Sequence, residues 1–215
     1  SAPYVTMTLR AMERFGIRTK DFAVAGGQSY VSPGTVAVEG DWSNAAFFLA
    51  ANTLGSSLDI RGLNPNSAQG DRAAAWLLPE LTRKALTIDA SDIPDLVPVI
   101  SAVASLAQGR TFIRDCARLR IKESDRLVTT TRELTALGAQ VRIAGDDLII
   151  KGVDAFTGGE VDSHNDHRIA MMAAIAASRA TGEVVIHGAE AVNKSYPDFF
   201  DHYRLLGGKV TLEEE

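Results

Sequence analysis

Small and apolar residues recur along this 215-residue chain in a fixed cycle: a helical run, a glycine, then a short β-rich stretch. Three copies are visible. They read Ala50-Ala51-Asn52-Thr53-Leu54-Gly55 into Leu58-Asp59-Ile60, Ala104-Ser105-Leu106-Ala107-Gln108-Gly109 into Thr111-Phe112-Ile113, and Ala176-Ala177-Ser178-Arg179-Ala180-Thr181-Gly182 into Val184-Val185-Ile186. A unit that returns in this way is one α/β building block used repeatedly. The flanking pattern predicts further elements. Val5, Met7, Leu9, Met12 and Phe15 give residues 4–16 an apolar helical face, and Gly16 stands where a helix end favours glycine. Residues 22–38 read as β structure with a turn at Ser32-Pro33-Gly34. A helix capped by Asp41 or Ser43 runs through Asn44–Leu49. Further helices are predicted over 71–84, 95–108, 123–137, 166–180 and 197–206. Strands are predicted over 86–90, 110–115, 183–187 and 209–213, and a strand pair, 140–143 and 147–151, turns at Gly145-Asp146. Strands alternating with helices, interrupted by hairpins, predict a mixed-sheet α/β domain close to repeated βαββαβ units.

The copies can be superposed by counting. Gly55 to Gly109 is 54 residues, as is Asp71-Arg72 to Asp125-Arg126; Gly109 to Gly182 is 73, as is Asp89 to Asp162. The register therefore changes between Arg72 and Asp89, where the first copy is 19 residues shorter than the second. In the second copy that segment holds the 140–151 strand pair, so the first copy lacks a hairpin after Lys84. Helix 71–84 then runs into strand 86–90 with no Gly, Asn or Pro between them to turn the chain.

Composition narrows the function. The chain is 46% hydrophobic and 23% charged with a net charge of −5, which fits a globular domain and argues against a broadly basic nucleic-acid surface. Cys116 is the single cysteine, so no intramolecular disulfide or cysteine zinc cluster can form, and the expected compartment is the cytoplasm. No apolar run approaches the ~20 residues of a membrane span. The chain opens on Ser-Ala rather than Met, which reads as a processed or partial chain.

Residues that break the repeat are the candidates for chemistry. Lys122 and Arg126, in Arg118-Leu119-Arg120-Ile121-Lys122-Glu123-Ser124-Asp125-Arg126, put like charges at a helix start, where the macrodipole favours anions. A bound phosphate or carboxylate would account for them; a solvated basic helix start, balanced by Glu123 and Asp125, is the competing reading. Arg168 repeats the theme in Asn165-Asp166-His167-Arg168, where Asp166 is a natural cap and His167 is first read as a core histidine. Asp95 takes the place of Arg168 when Asp89 is laid on Asp162. An acid facing an anion clamp is one arrangement for a general base, and simple capping by Asp92 and Asp95 is the plainer alternative. Lys194 precedes a helix predicted to start near Pro197. Arg126, Arg168 and Lys194 are thus expected at equivalent helix ends, aimed at one anion. No His, Cys and Glu set has metal-ligand spacing.

The blocks Lys122-Glu123-Ser124-Asp125-Arg126, Asp166-His167-Arg168-Ile169-Ala170-Met171 and Asn193-Lys194-Ser195-Tyr196-Pro197-Asp198-Phe199 resemble the signatures of the 5-enolpyruvylshikimate-3-phosphate synthase family, as do Glu39-Gly40-Asp41-Trp42-Ser43 and Gln69-Gly70-Asp71-Arg72. The sister UDP-N-acetylglucosamine enolpyruvyltransferase family shares the fold but has different blocks here. The resemblance implies an inside-out α/β barrel with pseudo-threefold βαββαβ units, in two domains with the substrates between them. It implies that residues 1–37 end the first domain and 38–215 form nearly all of the second. The implied reaction transfers the enolpyruvyl group of phosphoenolpyruvate to the 5-hydroxyl of shikimate 3-phosphate, without metal or organic cofactor. By resemblance Asp95 is the base near that hydroxyl, Glu123 the acid and base at the vinyl carbon, and Lys122 sits between the substrates. Arg126, Arg168 and Lys194 hold phosphoenolpyruvate. Arg118 stands where some members carry Asn, and the roles of Arg118 and His167 stay open. The implied partner is a first domain of the same enzyme, without which this chain is expected to be inactive or a non-catalytic anion-binding piece.

Overall fold

The computed structural model describes residues 2–213. The chain runs α1 (Ala2–Arg14), β1 (Thr19–Lys20), β2 (Ala23–Val24), α2 (Trp42–Thr53), α3 (Ala74–Leu81), β3 (Thr87–Asp89), α4 (Val97–Ala104), β4 (Arg110–Arg114), α5 (Arg126–Ala136), β5 (Gln140–Ala144), β6 (Asp147–Lys151), β7 (Gly159–Asp162), α6 (His167–Ala177), β8 (Val184–His187) and α7 (Phe199–Leu205). Short 3-10 segments precede α3, α4, α5 and α7.

The helices built from small residues are the core. Every residue of α4 is buried, as are His167–Ala176 of α6, and α2 buries Trp42, Ala46, Phe47, Phe48, Ala50 and Ala51. Helices that are apolar all round must be enclosed, and alanine lets their axes approach closely. α2, α4 and α6 pack on one another, while α3 covers α2 and α5 covers α6. Strands lie outside: β3 runs parallel to β4, which pairs antiparallel with β6 of the β5–β6 hairpin, and β7 runs parallel to β8. Helices inside and strands outside reverse the usual α/β barrel. One hydrogen bond recurs in all three copies at the entry to the inner helix. Gly40 donates to the Gly62 carbonyl at 3.2 Å, Ala90 to Arg114 at 2.9 Å and Ser163 to His187 at 2.9 Å.

Several expectations change. Of residues 22–38, only Ala23–Val24 pairs, with Thr19–Lys20; the rest is irregular and Val38 is 92% exposed. Leu58–Ile60 is not a paired strand: the main chain of Leu58 bonds to the Asn52 side chain instead. Residues 209–213 form no strand. Pairing needs a neighbouring strand, and among the described residues none forms a ladder with these segments. Helix 71–84 begins as a 3-10 turn, Gly70–Ala73, and ends at Leu81. β7 is a strand the pattern did not predict, because glycines at 158 and 159 mask its short apolar alternation. Among the described residues no helix is long and apolar enough to cross a membrane.

Candidate functional site

Three helix starts converge at one end of the core. The Asp166 side chain caps α6 by accepting from the Arg168 amide at 3.0 Å. His164 (φ 53°) and Asn165 (φ 54°) precede it in left-handed conformations, strained for a non-glycine residue and concentrated in functional loops. Local bonds hold that loop: the His164 amide donates to Asp162 Oδ1 at 2.6 Å, the Asn165 amide to Ser163 Oγ at 3.1 Å, and His164 Nε2 lies 2.7 Å from the buried Glu133. Asp95 comes from the 3-10 turn before α4. Lys122, Glu123 and Ser124 come from the extended segment between another 3-10 turn and α5, whose first residue is Arg126.

Arg126 is the hub. Only 1% of it is exposed. Its guanidinium donates to Asp166 through Nε at 2.8 Å and Nη2 at 3.1 Å, and to Asp95 through Nη1 at 2.8 Å. It also binds Glu123. Ser124 donates to Asp166 at 2.9 Å. Lys122 Nζ reaches Asp95 Oδ1 at 3.0 Å and sits 5.9 Å above the Tyr4 ring, while Arg168 Nη2 lies 3.7 Å from Asp95 Oδ2. Lys194 donates to the Asn165 carbonyl and so braces the same loop.

The electrostatics follow. Burial disfavours ionised Asp95, yet Arg168, the Tyr4 hydrogen bond and Lys122 outweigh it and hold the carboxyl well below the usual range. Burial likewise opposes ionised Asp166, and Arg126 reverses it. His167 is pushed down by burial and then by Arg168, so its ring is neutral at pH 7. Asp71, buried behind Ser43 and near Asp95, is pushed up to about 6, chiefly by burial. Two polar atoms of the site are buried with no hydrogen-bond partner among the described residues, Arg168 Nε and His167 Nδ1. An orphaned buried donor costs about 1–3 kcal/mol. Arg168 is therefore a guanidinium with capacity left for an acceptor.

The structure brings Asp95, Lys122, Glu123, Arg126 and Arg168 together, with Lys194 beside them on the α6 loop. It corrects the expected symmetry. Arg168 starts the inner helix α6, but Arg126 starts the outer helix α5, and Lys194 ends a 3-10 segment before α7. Lys122 lies in extended chain, so it does not share a helical face with Arg126. Both converge on Asp95 because each has a carboxylate to meet. Arg118 is exposed and joins none of these contacts. Two participants escaped the sequence reading. Tyr4 reaches Asp95 from α1, 91 residues away, with no local signal. Asp71 stood in a quoted block, and its buried acid was the missed signal. Among the described residues no group of three or more His, Cys, Asp or Glu is placed to hold a metal ion.

Comparisons with known proteins give the family. The family model described as EPSP synthase (3-phosphoshikimate 1-carboxyvinyltransferase) matches residues 1–203. A 3-phosphoshikimate 1-carboxyvinyltransferase of Clostridium acetobutylicum is 44% identical over 98% of the chain and 53% of its own length. One of Clostridium perfringens strain 13 is 42% identical over the whole chain and 55% of its own length. That alignment runs over 237 positions against 215 residues, so at least 22 positions of the relative have no counterpart in the chain. An EPSP synthase structure from Acinetobacter baumannii superposes with a TM-score of 0.79 at 25% identity, covering 95% of this chain and 55% of that one. The chain spans about half the length of the relatives it matches. The chain belongs to the EPSP synthase (3-phosphoshikimate 1-carboxyvinyltransferase) family.

Proposed function

We propose that this chain supplies one wall of a site that transfers the enolpyruvyl group of phosphoenolpyruvate to the 5-hydroxyl of shikimate 3-phosphate, releasing phosphate. The observation that carries the reading is the buried pair Arg126 and Arg168 around Asp95, with Arg168 Nε still without an acceptor. Residues 1–37 then end a first domain that supplies the opposite wall, and residues 38–215 form the second. α1 has no buried residue, as a helix that packs on the rest of that first domain would show.

In the mechanism, Arg126, Arg168 and Lys194 hold the carboxylate and phosphate of phosphoenolpyruvate, guanidinium forks matching both groups. Glu123 donates a proton to the methylene carbon, leaving a cationic centre. The 5-hydroxyl oxygen attacks that centre while its proton passes to Asp95. Glu123 then removes a proton from the new methyl carbon, the double bond re-forms and the bond to phosphate breaks. Asp95, shared among Lys122, Arg126 and Arg168, is held as a poor base. An anion that draws the two arginines away raises its basicity when substrate is present. Glu123, partly exposed, needs closure by the other domain to be desolvated as an acid.

Calorimetric titration of the chain with phosphoenolpyruvate tests the anion clamp. Binding that weakens at least tenfold in Arg168→Ala is expected; no binding, or equal binding by the variant, removes the basis of the proposal. Co-expression with the first half of the C. acetobutylicum relative tests the reaction. Phosphate release that requires shikimate 3-phosphate, and that Asp95→Ala or Glu123→Ala abolishes, is the expected result.

A further inference from the structure

α5 holds the chain that enters α6 at two places. Arg126, its first residue, binds Asp166 through Nε at 2.8 Å and Nη2 at 3.1 Å. Glu133 stands about two turns further along the same helix face and reaches an earlier part of that chain. Its Oε2 accepts from the Asp162 amide at 3.0 Å, and its Oε1 lies 2.7 Å from His164 Nε2. Glu133 is 3% exposed, and its other charged neighbour is the exposed Arg132, with Nε at 3.4 Å. A carboxylate oxygen only accepts, so His164 Nε2 donates that bond.

Between the two grips lie the left-handed residues His164 and Asn165. Such non-glycine residues persist only where their surroundings over-determine them. Capping alone does not require them: Asp41 caps α2 and Asp125 caps α5 with no left-handed residue just before either. What the turn does achieve is a placement. It aims the Asn165 carbonyl at Lys194 Nζ, and it delivers Asp166 to Arg126 and to the Arg168 amide. Neither His164 nor Glu133 takes part in the proposed proton transfers.

We propose that His164, locked by Glu133, is a positioning residue for the anion clamp. It fixes the turn so that Lys194, through the Asn165 carbonyl, and Arg168, through Asp166, face one ligand. The inference rests on the reading that this ligand is phosphoenolpyruvate.

The test is His164→Gly in the full chain. Glycine adopts the left-handed conformation freely but cannot reach Glu133. If His164 only endured strain, the variant would be at least as stable as the parent and would bind phosphoenolpyruvate equally well. A positioning role predicts that calorimetry shows affinity weakened about tenfold. The amides of Asn165, Asp166 and Arg168 should also exchange faster while those of α4 do not. His164→Gln, whose amide nitrogen can replace Nε2 against Glu133, should restore both. Parent-like affinity in the glycine variant, or a glutamine variant as weak as the glycine one, overturns the proposal. If the parent itself binds no phosphoenolpyruvate, the reading of the ligand fails separately and amide exchange decides this inference. Parent-like exchange at Asn165–Arg168 in His164→Gly then overturns it, and faster exchange that glutamine reverses upholds it. If glycine prevents folding, His164→Asn is read by the same criteria, since it tolerates the left-handed region but is too short to reach Glu133.

Discussion

Replacing Asp166 by Asn removes one charge from the centre of the site while keeping its shape. Asp166 is fully buried and accepts two bonds from Arg126, one from Ser124 and the capping bond from the Arg168 amide. Asn can keep the cap and one Arg126 bond, so the loss isolates the charge. Breaking a buried ion pair by removing one partner costs about 3–5 kcal/mol. Arg126 retains Asp95 at 2.8 Å and its bond to Glu123, so its charge is not stranded and the lower end, about 3 kcal/mol, is expected. At about 2–4 °C per kcal/mol for a chain of this size, melting should fall by roughly 6–12 °C. The pH dependence has a definite sign. The folded carboxyl sits below its unfolded value near 4, so its contribution is complete above about pH 4 and disappears as pH falls through the folded value. Urea unfolding of parent and Asp166→Asn at pH 7, and at steps below pH 4, measures both effects. A loss under about 1 kcal/mol at pH 7, or a gap that does not narrow in acid, would refute the buried-pair reasoning.

Asp71 predicts the opposite sign. Its folded value near 6 lies above the unfolded value, so ionising it destabilises the fold, and the penalty develops as pH rises from about 4 through 6. Asp71→Asn should therefore be the more stable protein at pH 8, by up to about 3 kcal/mol, and equal to the parent near pH 4; thermal unfolding across that range checks it. Gly152→Ala should destabilise by at least about 2 kcal/mol in urea unfolding, because a Cβ there would lie 1.7 Å from the Ala107 carbonyl oxygen and the backbone must move. Parent-like stability would mean that the chain leaving the hairpin does not pack this closely on Ala107.

Local rules carried the sequence reading as far as local causes reach. Asp41 and Asp166 are caps because their side chains answer amides two residues on; Asp125 also caps, at a helix start three residues later than the pattern placed it. The β5–β6 hairpin follows from alternation and a Gly145-Asp146 turn. The central helices announce themselves by alanine. Pairing across the fold was not legible. Strand segments 36–38 and 58–60 have the right residues, but a strand exists only if its neighbour does. The site shows the same limit. Arg126 and Arg168 looked misplaced against the helix dipole, and a ligand was the natural explanation. In the folded chain, acids 31, 40 and 73 residues away already pair with those arginines, although Arg168 Nε keeps no acceptor among the described residues.

That self-pairing bears on the proposed reaction. A carboxylate that binds Lys122, Arg126, Arg168 and Tyr4 at once ties the site together and is a weak proton acceptor. An anionic substrate that competes for Arg168 weakens the charge interaction that most suppresses Asp95 as a base, ahead of the Tyr4 hydrogen bond and Lys122. Lys122, Arg126, Arg168 and Lys194 against Asp95, Glu123 and Asp166 leave the site's own side chains near neutrality. The site becomes short of positive charge only when phosphate and carboxylate enter together, which is the condition under which a base is needed.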